Sequence, residues 1–301
     1  MNLNRIPLAL GVALLLALAP AAAFAKLRVA ASTTDLGSIA ASVGGDQVDV
    51  FAIARPTSDV HRVEVLPSYM VKVARAQLYL KVGLGLDQWA DGIIAGSRND
   101  KLTIVDCGAG IDALEKPTGK VTAALGDVHP NGNPHYWLDP RNGAIVAHEL
   151  AEAFGSADPT HAADYRARAD AFAKQADAAY ADGQKTAAAL PSKVILTYHA
   201  SWVYLAHAMG LEIAGTVEPV PGIPPTAKHL ASLIEIIKAR RIGALLQEPY
   251  FSADAGKFLA RNTNLKVVTV SASCDAAVPG SYLAHIGDIV RQVGVTGGAT
   301  K

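Results

Sequence analysis

Hydrophobic positions along the chain fall in short consecutive runs rather than in strict alternation. Residues 26–32 (KLRVAAS), 48–54 (VDVFAIA), 78–82 and 102–105 have the pattern of strands buried on both faces. Between them, residues 34–44 and 67–76 carry helical spacing, and Gly83-Leu84-Gly85 marks a turn. The same alternation returns later in the chain. Strands are predicted at 193–197, 212–217, 244–247 and 266–270, with helices at 201–209, 226–240, 253–262 and 282–293. Strands that alternate with helices predict parallel sheets covered by helices on both faces.

Between the two sets lies one long Ala-rich segment. Asp158 is a suitable N-cap, Pro159 suits the first helical position, and Pro191 ends the run, with Gly183 its one glycine. About 30 residues of helix would span about 45 Å. The expected architecture is therefore α/β with two lobes, each a parallel sheet flanked by helices, joined by one long rigid helix. The boundaries are an N-terminal lobe at 26–157, a connecting helix at 158–190 and a C-terminal lobe at 191–301. The proline-rich stretch 219–225 (PVPGIPP) is expected to be a loop.

Residues 1–25 read differently. A short start with Arg5 leads into an uncharged Leu- and Ala-rich run, closing on Ala23-Phe24-Ala25 before Lys26. That is the form of a cleaved export signal, with the mature chain starting near Lys26. A membrane anchor is the alternative for such a run, but Pro20 and the small-residue tail favour cleavage, and no cysteine stands at the cleavage point to take a lipid. No second apolar span follows, so an exported soluble protein is expected.

Composition narrows the function classes. The 301 residues are 50% hydrophobic, with 27 basic and 27 acidic side chains. A disordered chain would be poorer in apolar residues, and a nucleic-acid binder would carry a basic excess. Two cysteines cannot build a disulfide scaffold or a cysteine-rich zinc module.

Candidate chemistry sits where strands end, the position at which open parallel sheets bind ligands. His61 follows the second strand, His135 lies in Asn133-Pro134-His135-Tyr136-Trp137-Leu138-Asp139-Pro140, and His199 follows KVILTY. Asp275 follows the last strand, in SASCDAA. His148, His161, His207, His229 and His285 fall in or beside helical runs and are read as surface or packing residues. His129, in the loop GDVHPNGN, is either a solvated loop histidine or a contact for an incoming ion.

These residues carry a resemblance. A His after the second strand, LYLKVGLGLDQWADGII, GNPHYWLDP, TYHASWVYLAHAMGL, LLQEP and CDAAVPGSYLAHI follow one another in order. The chain resembles the periplasmic zinc- and manganese-binding proteins of ABC transporters, the cluster A-I metal-binding lipoprotein and adhesin group. The resemblance covers nearly all of the chain after residue 25. It implies His61, His135, His199 and Asp275 as metal ligands, with Glu248 as the substitute carboxylate. It implies a periplasmic carrier that binds Zn²⁺ as cargo rather than as a catalytic cofactor. The implied partners are the zinc ion, an ABC permease and a periplasmic metallochaperone, with no nucleic acid, and the expected state is a monomer. His199 stands where manganese members of the group have Glu, and three imidazoles with one carboxylate suit four-coordinate zinc. The long His-rich loop of many zinc members is reduced here to DVHPNGN.

Three alternatives stay open: a manganese carrier of the same group, a secreted zinc hydrolase, and a two-lobed binder of an organic ligand. A hydrolase would need an open water position and a general base, and no HExxH helix or nucleophile elbow is present. Loops 126–133 and 219–226 are the expected sites of metal-linked ordering, because a stiff helix limits lobe movement. Cys107 and Cys274 follow strands of different lobes. A disulfide across the cleft and a pair of buried thiols are the main readings, with Cys274 as a zinc ligand a third.

Overall fold

The computed structural model describes residues 26–119, 121–122 and 126–297. The export signal read at residues 1–25 lies outside these. Strands β1 (Leu27–Ala31), β2 (Val48–Ala52), β3 (Leu78–Lys81) and β4 (Thr103–Asp106) form a parallel sheet in the order β2-β1-β3-β4. Strands β5 (Val194–Thr197), β6 (Glu212–Thr216), β7 (Ala244–Gln247) and β8 (Lys266–Thr269) form a second parallel sheet in the order β6-β5-β7-β8. The two orders are the same pattern used twice. Each places its first strand beside a point where the chain reverses direction across the sheet, so the carboxyl ends there diverge and leave a crevice.

Helices cover the sheets. In the first lobe these are α1 (Thr34–Gly44), α2 (Pro67–Val73) and α3 (Trp89–Ser97). Thr33 caps α1 by accepting from the Leu36 amide. A helix α4 (Pro140–Ala157) follows, capped by Asp139 with Pro140 at its start. The long helix α5 runs over Ala162–Ala188, and the second lobe carries α6 (Val203–Met209), α7 (Ala227–Arg240), α8 (Ala253–Asn262) and α9 (Ser281–Gly297).

Asp158 ends α4 and is also the N-cap of a 3₁₀ turn over Pro159–His161, with Pro159 at its start as expected, and this turn leads into α5. The Asp158 carboxylate accepts from His161 Nδ1 at 2.6 Å and from the Tyr165 hydroxyl at 2.8 Å. The result is a helical hairpin. Nor is α5 an isolated strut: Tyr165, Ala169, Phe172, Ala176, Gly183 and Ala187 form a buried stripe at helical spacing. Arg168 on α5 donates to the carbonyls of Val43 and Gly44 at the end of α1, where a cation meets the negative end of the helix dipole. Gln184 donates to Ala208 O on α6.

The principal core is continuous across both lobes. It joins Leu36 and Val43 of α1, Phe154 of α4, Phe172 of α5, Leu205 of α6 and Ile289 of α9. Helix α9 returns the chain to the first lobe, where the Tyr282 amide donates to Ser38 Oγ and its hydroxyl to Trp137 O. Among the described residues no helix is long and apolar enough to cross a membrane.

Candidate metal centre

Three predicted residues meet between the lobes. One ring nitrogen from each of His61, His135 and His199 lies within 4.8 Å of the other two. Ring centroids are 5.1 Å apart for His61–His135, 5.3 Å for His61–His199 and 5.6 Å for His135–His199.

The other nitrogen of each ring is engaged. His61 Nδ1 pairs with Asp59 Oδ1 at 2.9 Å, His135 Nδ1 with Asn133 Oδ1 at 2.9 Å, and His199 Nδ1 with Glu218 Oε2 at 2.7 Å. An oxygen acceptor at Nδ1 makes that nitrogen the donor, and Nε2 is left as the lone pair offered to an ion. The Nε2 atoms of His61 and His135 are buried without a hydrogen-bond partner. Buried polar atoms are ordinarily paired, so unpaired acceptors converging on one place mark a ligand position.

Local chain geometry builds two of these arrangements. Asp59 and Asn133 each stand two residues before their histidine, and each accepts both the histidine amide and its ring nitrogen through the same oxygen. This is the Asx turn used to fix a side chain. Asn133 also donates from Nδ2 to Ala200 O at 2.8 Å, so one amide group links His135 to the residue after His199. Trp137, 1% exposed, packs on the His135 ring at 5.3 Å and donates to Ala272 O. Glu218 lies 19 residues from His199 and also accepts from the Gly222 amide at 2.9 Å.

Electrostatics divides the rings. Burial, helped by the neighbouring histidines, holds His135 well below its usual value and keeps it neutral. Burial also opposes protonation of His199, but the Glu218 hydrogen bond and the charges of Glu248 and Glu218 outweigh it and raise the ring. Glu248 is buried, accepts from Ser201 Oγ at 2.6 Å, and is pushed up to about 7 by desolvation. Asp59 and Glu218 lie outside the ring of nitrogens, one hydrogen bond from His61 and His199 respectively.

His129 stands beside the three. Its ring stacks on His61 with centroids 5.4 Å apart, and its Nε2 is buried and unpartnered. A cavity of about 60 Å³ is lined by His129, His135 and His199. A second, of about 220 Å³, is lined by His61, His199, Glu218, Tyr250 and Phe251. The first is below the several hundred cubic ångströms of an organic-ligand pocket. Larger cavities of about 310 and 390 Å³ lie around Arg240 and Arg241, remote from these rings.

Asp275 is not grouped with the three histidines; it is exposed on the segment after β8. That segment is tied down on either side. Ser271 Oγ donates to Pro56 O, the Cys274 amide donates to Asp35 Oδ1, and Thr34 Oγ1 donates to Cys274 O. These bonds leave the following side chain on the surface. Glu248, the substitute, is likewise outside the group of three, and is one of the carboxylates, with Glu218 and Asp59, whose charge raises His199. Cys107 and Cys274 are both free and buried, as the two-thiol reading has it, and burial raises both thiols.

Residues that sequence reading did not single out are Asp59, Asn133 and Glu218. The Asx-x-His spacing could have marked the first two. Glu218 has no local signal, since only the β5–β6 pairing brings it to His199.

A two-lobed α/β protein with a buried imidazole cluster at the lobe junction has the form of a metal-binding solute carrier. Residues 29–293 match the family described as ZnuA, zinc-uptake complex component A, periplasmic, and the chain belongs to that family. Its members are metal-binding substrate-binding proteins of ABC transporters, not enzymes, and they act outside the cytoplasm with a permease as partner. The chain is 25% identical over 249 residues to a putative metal-binding protein of Treponema pallidum, covering 81% of this chain and 79% of the relative. It is 26% identical over 244 residues to the iron-binding protein YfeA of Yersinia pestis, covering 79% and 74%. Among solved structures, a 138–173 deletion mutant of ZnuA with zinc bound superposes with a TM-score of 0.79 at 23% identity, covering 92% of this chain and all of that one. This likeness extends to the two-lobed fold.

Proposed function

We propose that this protein is a high-affinity zinc carrier, exported to the periplasm by cleavage near Lys26, that captures Zn²⁺ between its lobes and delivers it to an ABC permease. The supporting observation is the convergence of three imidazoles, each tied at Nδ1 to an oxygen and thereby offering Nε2 to the same place. Nitrogen-rich sites suit zinc, whereas manganese and ferrous iron are better matched where oxygen donors make up more of the set. His61, His135 and His199 are the assigned ligands.

Calorimetry on metal-stripped protein tests this reading, together with a Zn²⁺/Mn²⁺/Fe²⁺ competition read by metal analysis. Zinc is expected to prevail, and binding is expected to collapse in His61→Ala and His199→Ala. Preferential manganese or iron uptake, or unchanged zinc affinity in those variants, refutes it.

A further inference from the structure

We infer that Tyr204 is a specificity-determining positioning residue: with Asn133 it clasps the two lobes behind the rings and fixes the space an ion has between His135 and His199. The inference rests on the three-histidine reading above and concerns which ion the site admits, not which atoms bind it.

The clasp is a closed set of hydrogen bonds. Tyr204, on α6 of the second lobe, is 2% exposed. Its hydroxyl accepts from the Leu114 amide at 2.9 Å and donates to Asn133 O at 2.8 Å, both in the first lobe. The Asn133 amide donates in turn to Leu114 O at 2.8 Å. From its side chain, Nδ2 donates to Ala200 O at 2.8 Å and to Glu115 Oε2 at 3.0 Å, while Oδ1 accepts from His135. Every donor and acceptor of Asn133 is thus used. Glu115 adopts φ +52°, a conformation unfavourable to a residue with a Cβ. Such strain persists where surrounding contacts over-determine the backbone.

Asn133 stands two residues before His135, and Ala200 follows His199. The clasp therefore sets the distance between these two rings, which at 5.6 Å are the most widely separated pair of the three. Glu115, Asn133 and Ala200 share the wall of the 60 Å³ cavity with both rings. At about 30 Å³ per water, that space takes about two waters. An octahedral ion such as manganese on three imidazoles must fill three further positions, whereas four-coordinate zinc needs one. A fixed, narrow space favours zinc. Release of the clasp lets the two rings move apart and admits the ion that keeps more water.

The test uses the full mature chain with Zn²⁺, Mn²⁺ and Co²⁺ as probes, comparing wild type, Tyr204→Phe, Asn133→Ser, Phe172→Ala and His61→Ala. Tyr204→Phe keeps the ring and removes the hydroxyl. Asn133→Ser keeps an oxygen two residues before His135 but gives up the bond to Ala200. Zinc affinity is expected to fall about tenfold in each, with manganese affinity held or raised, so the zinc-to-manganese ratio falls at least as far. The visible bands of the Co²⁺ complex should weaken as its coordination number rises. Phe172→Ala, which loosens the packing of α5, should lower apo melting and leave the ratio and the Co²⁺ spectrum as in wild type. An unchanged ratio in folded Tyr204→Phe and Asn133→Ser, a loss shared equally by both ions, or the same change of ratio in Phe172→Ala would overturn the role of the clasp alone. Absence of zinc binding in the wild type, or its survival in His61→Ala, would overturn the three-histidine reading and this inference with it.

Discussion

Glu218 offers the sharpest test of how this site holds its ligands. It is 5% exposed and accepts a hydrogen bond from His199 Nδ1 at 2.7 Å. Glu218→Gln keeps an oxygen that can accept the same proton but removes the charge; Glu218→Ala removes both. A charge-assisted hydrogen bond contributes about 1.5–3 kcal/mol, and at about 1.4 kcal/mol per tenfold this is roughly 10–100-fold in affinity. Outer partners of metal-ligating histidines have measured effects in the same range. The expected order of zinc affinity is therefore wild type, then Glu218→Gln, then Glu218→Ala, with the last variant about 10–100-fold weaker. The losses should be larger in Ala because the Gly222 amide also loses its acceptor. A chelator competition titration at neutral pH gives the affinities, and apo melting separates ligand orientation from folding. Unchanged zinc affinity in a folded Glu218→Ala protein would refute the argument that the carboxylate orients and strengthens His199.

Further outcomes follow from the same geometry. His199 is raised above 6.5 and Glu248 is pushed up to about 7, while His135 and His129 are lowered, His129 to about 4, so near neutrality zinc should displace protons held at the His199 and Glu248 side of the site. Calorimetry in buffers of different ionisation enthalpy should show fractional proton release, with affinity falling as pH drops and His199 fills with protons; buffer-independent heats would contradict this. Asp275→Ala should bind zinc as wild type does in the same titration, because its side chain is exposed away from the rings. Gly222 has φ +79°, and a Cβ would lie 2.4 Å from Asp127 Oδ2, so Gly222→Ala should strain the loop by about 1–2 kcal/mol and speed zinc loss to a chelator in stopped flow. Phe172 is 4% exposed and stacks on Tyr282; Phe172→Ala should cost about 3–5 kcal/mol in urea unfolding, whereas a negligible cost would return α5 to the role of a bare connector.

Much of the fold was legible because its signals are local. Apolar runs such as that at 266–270 and helical spacing such as that at 34–44 and 226–240 act within a few residues, and the structure places β8, α1 and α7 accordingly. The α4–α5 hairpin was less legible: Asp158-Pro159 reads as one helix start, but Asp158 satisfies His161 and Tyr165 as it turns the chain. The continuity of the core through α9 was also hidden, since packing Tyr282 against Ser38 and Trp137 depends on contacts more than a hundred residues apart.

The candidate site divides along the same line. The sequence alone marked three histidines in loops between strands and helices, and it holds the Asx-x-His spacing, unread there, that orients two of them, because Asx turns are short-range geometry. Only the tertiary structure decided which side chains share a space. It drew in Glu218 from the next strand and His129 from a loop held against the proline-rich segment. It left Asp275 outside, because Ser271 and Cys274 are bonded to the first lobe and turn that carboxylate to the surface. Ligand convergence depends on how two sheets are set against each other, and that relation is fixed by the shared core rather than by any stretch of chain.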